Sequence, residues 1–446
     1  MSSAKKIGLF ACTGVVAGNM MGSGIALLPA NLASIGGIAI WGWIISIIGA
    51  MSLAYVYARL ATKNPQQGGP IAYAGEISPA FGFQTGVLYY HANWIGNLAI
   101  GITAVSYLST FFPVLNDPVP AGIACIAIVW VFTFVNMLGG TWVSRLTTIG
   151  LVLVLVLIPV VMTAIVGWHW FDAATYAANW NTADTTDGHA IIKSILLCLW
   201  AFVGVESAAV STGMVKNPKR TVPLATMLGT GLAGIVYIAA TQVLSGMYPS
   251  SVMAASGAPF AISASTILGN WAAPLVSAFT AFACLTSLGS WMMLVGQAGV
   301  RAANDGNFPK VYGEVDSNGI PKKGLLLAAV KMTALMILIT LMNSAGGKAS
   351  DLFGELTGIA VLLTMLPYFY SCVDLIRFEG VNIRNFVSLI CSVLGCVFCF
   401  IALMGASSFE LAGTFIVSLI ILMFYARKMH ERQSHSMDNH TASNAH

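Results

Sequence analysis

A carboxylate, Glu206, lies within an apolar stretch that covers residues 199–207. An ionised side chain near the middle of a membrane span costs roughly 2.5–3.5 kcal/mol on insertion scales, so acids in such positions usually have a functional role. Glu206 could attract a cationic substrate, transfer a proton, or do both, because a bound ammonium and a proton compete for one carboxylate. The alternative is a structural hydrogen bond to a neighbouring helix.

A run of small and polar residues interrupts the first apolar segment. The run consists of Gly18, Asn19, Met20, Met21, Gly22, Ser23, Gly24 and Ile25. Glycine and serine weaken a helix, and a broken helix survives at membrane depth only where it lines a cavity or contacts other protein. In many secondary transporters the free N–H groups at such a break bind an anionic group. We therefore predict a helix break at this run that binds a carboxylate.

A polar stripe is present in the third apolar segment, where Tyr89, Asn93 and Asn97 follow one another at intervals of four residues. This spacing places them on one helical face. A polar face in a membrane span should border a cavity or the interior of a helix bundle. Tyr90 lies beside the stripe. For Asn97, a hydrogen bond between helices is as good an interpretation as contact with a ligand.

Two tryptophans, Trp200 and Trp291, lie inside apolar segments rather than at the segment ends, where tryptophan is more usual. Their rings could contact an ammonium group through a cation–π interaction worth about 0.5–2 kcal/mol, or they could serve as packing.

Four other polar residues in or beside apolar segments are candidates for gating or proton coupling. They are Tyr73, Tyr237, Asp305 and Tyr425. A solvated helix end is the alternative for Asp305, and a place at the membrane interface is the alternative for Tyr425.

The composition places these residues in a polytopic membrane protein. The chain is 57% hydrophobic and 8% charged, and its mean hydropathy is +0.82, values that exclude a soluble domain of this length. We predict about twelve membrane-crossing segments. They lie near residues 8–33, 37–62, 83–113, 118–140, 144–168, 190–212, 221–247, 272–303, 323–345, 350–377, 384–404 and 409–426.

The basic residues predict the orientation. Of the 20 lysine and arginine residues, 17 fall at alternate connections between the segments. The exceptions are Lys193, Lys331 and Lys348. By the positive-inside rule, these connections and both termini face the cytoplasm. We predict that the polar tail, residues 429–446, is disordered.

Several classes of function are excluded by the motifs. The chain has no P-loop, HExxH or nucleotide fingerprint, so it is predicted to be neither a soluble enzyme nor by itself an ATP-driven pump, and to need no cofactor or metal. The pair Cys396 and Cys399 lies in an apolar segment, where packing is a better interpretation than metal binding or a disulfide.

The sixth apolar segment repeats the pattern of the first, because Gly204 and Ser207 again interrupt an apolar run. The two interruptions lie five segments apart, as in an inverted five-plus-five repeat whose broken helices cross at the membrane midplane. The predicted fold is therefore an all-α polytopic membrane protein of about twelve helices, with helices 1 and 6 discontinuous. It forms one domain over about 1–428, with repeats over about 7–168 and 190–377 and accessory helices over about 384–426.

Over residues 1–430 the chain resembles the basic amino acid/polyamine antiporters of the amino acid–polyamine–organocation superfamily. The resemblance rests on the motifs at residues 18–29, 68–73, 200–207, 216–220 and 296–309. It implies a LeuT-like fold in a bacterial inner membrane, frequently as a homodimer.

The resemblance also implies roles for individual residues. The substrate carboxylate would bind at Gly22, Ser23 and Gly24, Glu206 would be the coupling glutamate, and Tyr73 would belong to a pH-dependent gate. The full set of predicted substrate-binding residues is Asn19, Met20, Gly22, Ser23, Gly24, Tyr89, Tyr90, Ala92, Asn93, Asn97, Trp200, Val203, Glu206, Trp291 and Gly358.

The activity implied by the resemblance is exchange of external lysine for internal cadaverine, with proton-coupled cadaverine uptake through Glu206 as a second mode. Together with a cytoplasmic lysine decarboxylase, this exchange would raise cytoplasmic pH and aid survival in acid. Ornithine/putrescine and arginine/agmatine exchange are the near alternatives, and Asn93 and Gly358 differ from the arginine exchangers. A sodium-driven amino acid symporter and a channel or membrane-bound sensor are the alternatives from other classes.

Overall fold

The structure, a computed structural model, describes residues 8–63, 69–138, 149–206, 217–304, 306–344, 349–406, 411–412, 414–416, 418–427 and 429. Within this part of the chain the regular structure is helical and there is no β-strand. The α-helices are α1 Leu9–Ala26, α2 Leu28–Ala33, α3 Ala39–Lys63, α4 Pro70–Ile77, α5 Pro79–Leu108, α6 Pro118–Met137, α7 Ile149–Val166, α8 Ala173–Ala178, α9 Asp187–Trp200, α10 Pro218–Met247, α11 Ser250–Ala254, α12 Pro259–Leu268, α13 Ala272–Asn304, α14 Lys322–Asn343, α15 Ala349–Glu379 and α16 Phe386–Met404. The predicted disordered tail, from residue 430 onward, and Asp305 lie outside the described residues.

The prediction of an all-α polytopic membrane protein is confirmed. Among the described residues, seven helices are long and apolar enough to cross a membrane by length and composition: α3, α6, α10, α13, α14, α15 and α16. A shorter apolar helix, Thr414–Arg427, corresponds to the last predicted segment. The first and sixth predicted segments are interrupted, as described below.

The helices pack in two groups that α15 connects. In the first group, α10 lies against α1 and α3, and α9 lies against α3. In the second group, α5 packs on α13 and α6, and α14 packs on α6. Helix α15 contacts α5 of the second group and α3 and α9 of the first. The interior between the groups is therefore bordered by α1, α5, α9, α13 and α15.

The first predicted break has the wrong position. Helix α1 continues through Gly22, Ser23 and Gly24 to Ala26, and the chain bends at Leu27 before α2 begins. Pro29, in the first turn of α2, explains the shift, because proline lacks an N–H group and costs a helix interior about 3 kcal/mol, whereas glycine costs only about 1 kcal/mol. The amide groups of residues 22–24 are thus inside a continuous helix rather than at a free N-terminus.

The second predicted break is confirmed at its predicted place. Helix α9 ends at Trp200, and residues 201–206 form successive turns rather than helix. Gly204 has φ of +105°, a conformation that residues with a Cβ atom rarely adopt. Glu206 lies in this irregular stretch, which would be costly in lipid and must be surrounded by protein.

At each break, a buried tyrosine from another helix donates a hydrogen bond to a backbone carbonyl group. Tyr107 donates its hydroxyl to the Ala26 carbonyl at 2.9 Å, and Tyr237 donates to the Ala201 carbonyl at 3.1 Å. Both tyrosines are fully buried. The two hydrogen bonds replace helical partners that the breaks remove, so they fix the geometry of both breaks.

Ion pairs cluster at one end of the bundle, where α3 and α15 end and α14 begins; we call this the basic end. Arg59 contacts Glu379 at 2.5 Å, and Arg377 contacts Asp374 at 2.9 Å. In the loop before α14, Asp316 accepts hydrogen bonds from the Ile320 and Asn318 amides and pairs with Lys322. These contacts, led by the Ile320 amide, lower the pKa of Asp316. The assignment of the basic end to the cytoplasm stays a prediction.

Candidate functional site

A cavity lies between the two helix groups, beside the break at residues 201–206. Its volume is about 40 Å³, which is room for more than one water molecule. Its lining residues are Met20, Gly24, Tyr89, Ala92, Asn93, Gly96, Asn97, Ile100, Trp200, Val203, Ser287, Trp291, Ala360 and Thr364. The cavity is therefore lined by α1, α5, the end of α9, the broken segment, α13 and α15.

Glu206 lies behind Tyr89 and is held by two tyrosine hydroxyls. Its side chain accepts hydrogen bonds from Tyr89 at 2.8 Å and from Tyr368 at 2.9 Å, and the residue is only 1% exposed. Hydrogen bonds to both carboxylate oxygens stabilise the charged form and fix its orientation. Glu206 is therefore an oriented acidic group next to a cavity wall, suited to attract an ammonium group.

The asparagines of the polar stripe present hydrogen-bonding groups to the cavity. Asn97 is 1% exposed, and neither its side-chain oxygen nor its nitrogen has a partner among the described residues. Asn93 donates its amide to the Tyr89 carbonyl at 2.9 Å. A buried amide without partners is costly, so the Asn97 side chain is suited to bind a polar group of a ligand.

Aromatic rings form another part of the wall. Trp200 is 8% exposed, and its ring lies so close to α5 that a Cβ atom at Gly96 would be 3.3 Å from the ring. The absence of a side chain at Gly96 thus admits the indole. Trp291 borders the same cavity from α13. Together the rings and Glu206 offer both a charge and π-faces to a cation.

The structure brings most of the predicted binding residues to one cavity. Those that line it are Met20, Gly24, Tyr89, Ala92, Asn93, Asn97, Trp200, Val203 and Trp291, and Glu206 adjoins it through Tyr89. The side chains of Asn19, Gly22 and Ser23 lie outside what the structure describes. The role of each residue in binding stays a prediction.

Two predicted binding residues are placed elsewhere. Tyr90 points away from the cavity, with its ring 4.8 Å from that of Phe308 and the Lys331 ammonium 5.1 Å from its centre. It follows Tyr89 by one residue, which is about 100° around the helix. Gly358 is buried in α15 but does not line this cavity, to which the helix contributes Ala360 and Thr364 instead.

The tyrosines predicted for gating occupy three different surroundings. Tyr237 binds the broken segment at the Ala201 carbonyl. Tyr73 is fully buried, with its ring 6.3 Å from that of Tyr57 near the basic end. Tyr425 packs its ring 5.3 Å from Phe83, and it does not line the cavity. Asp305 is not among the described residues.

The sequence analysis missed several residues of the site. Gly96 and Ile100 continue the helical spacing of Tyr89 and Asn93, and Ser287 precedes Trp291 by four residues, so the same periodicity could have identified them. No local signal distinguishes Tyr368, which reaches Glu206 only because α15 packs against α5 and α9.

Substitution of Trp200 should weaken binding of a cationic substrate. We expect Trp200→Ala to raise the Michaelis constant for such a substrate roughly 3- to 30-fold, because the cation–π contact is lost, and Trp200→Phe to retain much of the affinity. The measurement is concentration-dependent uptake into proteoliposomes. Trp271→Ala is the control, since Trp271 is 64% exposed and remote from the cavity. Equal effects of the Ala substitutions at both positions would contradict the role of Trp200.

Comparison with known proteins identifies the family of this chain. The family model described as amino acid permease matches residues 7–426. The chain belongs to the amino acid permease family. It is 32% identical over 420 residues to the putrescine transporter PotE of Escherichia coli strain K12, a match that covers 90% of this chain and 92% of that protein. It is 33% identical over 374 residues to the putrescine transporter PotE of Haemophilus influenzae, covering 83% of this chain and 84% of the relative.

The family and the fold together establish the class of activity. The permease is an amino acid/polyamine transporter rather than an enzyme, and its apolar helices make it a multi-pass membrane protein. The cavity between the two helix groups is the place in this permease where charge, hydrogen-bonding groups and aromatic rings converge.

Proposed function

We propose that the permease is an antiporter that exchanges external lysine for internal cadaverine by alternating access, in the bacterial inner membrane. The observation that supports this most directly is Glu206, which two tyrosine hydroxyls orient beside the cavity. Both lysine and cadaverine carry a terminal ammonium on a flexible carbon chain. A buried carboxylate gains most from such a group when hydrogen bonds fix its orientation, because little reorganisation is then needed.

The rest of the cavity fits the remainder of these substrates. Trp200 and Trp291 can border the methylene chain or a second ammonium, and the unpaired amide of Asn97 can bind an amine or a carboxylate. Lysine has one net positive charge and cadaverine has two, so each exchange moves one positive charge outward. Uptake of cadaverine with protons is a second mode in which Glu206 carries the proton.

Exchange of ornithine for putrescine is the second candidate. It is favoured by the two relatives named as putrescine transporters, which match most of the chain. Ornithine and putrescine are each one methylene shorter than lysine and cadaverine. A single methylene in an apolar pocket discriminates by only about 1–3 kcal/mol, so the residues that line the cavity are compatible with either pair.

The deciding experiment is counterflow in proteoliposomes. Vesicles containing the purified permease are loaded with cadaverine, putrescine, agmatine or buffer alone, and uptake of labelled lysine and labelled ornithine is followed. We expect cadaverine inside to stimulate lysine uptake most strongly. Stimulation of ornithine uptake by putrescine alone would assign the second pair.

Two other outcomes would reject exchange altogether. Equal uptake with buffer inside would show that no counter-substrate is needed and would redirect attention to symport. Uptake that depends on a sodium gradient would identify a cation-driven symporter. Vesicles made without protein, and vesicles with the permease but with dissipated membrane potential, serve as controls for leak and for the movement of charge.

A further inference from the structure

A line of buried polar residues leads from the cavity along α15 to the basic end. Thr364 lines the cavity, Tyr368 binds Glu206, and Ser371 accepts a hydrogen bond from Tyr57 at 3.2 Å. Asp374 follows three residues later. Intervals of four, three and three residues place all four on one face of α15, and none is more than 2% exposed.

Aromatic rings from α3 and α4 accompany this line. The Tyr57 ring is 6.0 Å from that of Tyr368 and 6.3 Å from that of Tyr73. Helix α4, which carries Tyr73, packs against α15, and Glu76 of α4 contacts Arg377 of α15 at 3.5 Å. The tyrosines therefore continue the line from Glu206 toward the end of α15 that carries Asp374, through contacts between three helices.

Asp374 retains an unused hydrogen-bonding position. One of its oxygens accepts a hydrogen bond from Arg377 at 2.9 Å, whereas the other is buried without a partner among the described residues. The Tyr73 hydroxyl of α4 is also buried and without a described partner. An acid that is fully buried in a membrane span is costly, and an unsatisfied oxygen adds to that cost. A cation with several N–H donors would satisfy this oxygen.

We propose that Asp374 is a second cation-binding residue of the transport path, which binds the ammonium group of a diamine as it passes between the basic end and Glu206. Asp374 lies six positions after Tyr368, about 9 Å along the helix. This distance is of the same order as the length of an extended five-carbon diamine. One ammonium can approach Glu206 while the other leaves Asp374. Arg377 holds the carboxylate in place when no substrate is present. This inference rests on the proposed transport of diamines.

The test is the Michaelis constant for labelled cadaverine and putrescine measured separately from the two membrane faces. Intact cells expose the outer face, and inverted membrane vesicles expose the cytoplasmic face. We expect Asp374→Asn to raise the Michaelis constant roughly tenfold or more from the face at the basic end and less than about twofold from the other. Asp374→Glu should restore much of the affinity because it restores the charge.

A purely structural ion pair would give a different result. If Asp374 only paired with Arg377 within α15, the substitution would change the maximal rate from both faces, with equal Michaelis constants for the variant and the unsubstituted protein. That outcome, or an equal rise from both faces, would overturn the proposal. A rise confined to the outer face would instead reverse the assigned orientation of the basic end and leave the role of Asp374 intact.

A milder variant keeps the test decisive if Asp374→Asn does not accumulate. Tyr73→Phe removes only a hydroxyl that has no described partner, so it should preserve the fold while raising the Michaelis constant a fewfold from the same face. An unchanged constant for Tyr73→Phe from the face at the basic end would overturn the proposal. The unsubstituted permease is measured in parallel. If it does not exchange diamines, the proposed function itself is rejected.

Discussion

Replacement of Glu206 by glutamine should reduce the affinity for a cationic substrate about 30-fold or more. The substitution keeps the shape of the side chain but removes the charge that two tyrosine hydroxyls hold beside the cavity. Removing one partner of a buried, hydrogen-bonded charge pair typically costs 2–5 kcal/mol, and about 1.4 kcal/mol corresponds to a factor of ten. The measurement is equilibrium binding of labelled cadaverine and lysine to the purified permease, followed by uptake in proteoliposomes.

Two conservative variants separate the charge of Glu206 from its orientation. Tyr89→Phe and Tyr368→Phe each remove one hydrogen bond and leave the carboxylate in place, so each should cost less, roughly tenfold or below. Because a neutral residue at position 206 cannot transfer a proton, uptake driven by a pH gradient should also disappear in Glu206→Gln. Full binding and full proton-driven uptake by this variant would refute the role proposed for the glutamate.

Replacement of Gly24 by leucine should abolish transport. A Cβ atom at this position would lie 3.4 Å from the Ala201 Cα atom and 3.9 Å from the Ala201 carbonyl oxygen. Alanine can be accommodated at such distances, but the larger leucine side chain would have to displace the backbone of the broken segment. Overpacking of this kind commonly costs 1–3 kcal/mol, and here it would also displace the turns that carry Glu206.

The expected order is a graded one, with Gly24→Ala close to the unsubstituted permease and Gly24→Leu inactive and less thermostable. Thermal unfolding of the purified protein and counterflow uptake measure the two effects. Gly188→Leu is the matched control, because a Cβ atom at Gly188 has no neighbour within 4 Å and the substitution should be tolerated. Normal transport by Gly24→Leu would show that close approach of α1 to the broken segment is not required.

Much of the site follows from periodicity along single helices. The spacing of Tyr89, Asn93 and Asn97 predicted one polar face of α5, and all three residues line the cavity. The break before Glu206 was predicted from Gly204, whose positive φ allows the turns. Such features depend on local chemistry, namely helix propensity and the cost of a charge in an apolar segment, and these can be evaluated from neighbouring residues.

The predictions failed where two local signals competed, or where packing against another part of the protein determined which way a side chain faces. The first break was predicted at Gly22–Gly24, but Pro29 has the larger energetic effect and the bend occurs at Leu27. Tyr90 was grouped with Tyr89 although it faces Phe308 and Lys331 on another side of α5. Asp374 was not singled out, although the argument that identified Glu206 applies to any acid in an apolar segment.

The sequence alone determined that this permease is a helical membrane protein with a carboxylate at a broken helix, because hydropathy and helix breakers act over short stretches of chain. Only the tertiary structure decided which groups meet that carboxylate. Tyr368 reaches Glu206 across 162 positions of the sequence, and its approach depends on the rotation and register of α15 against α5 and α9. In a membrane, lipid-facing and buried helix surfaces are both apolar, so hydropathy along the chain does not encode that rotation.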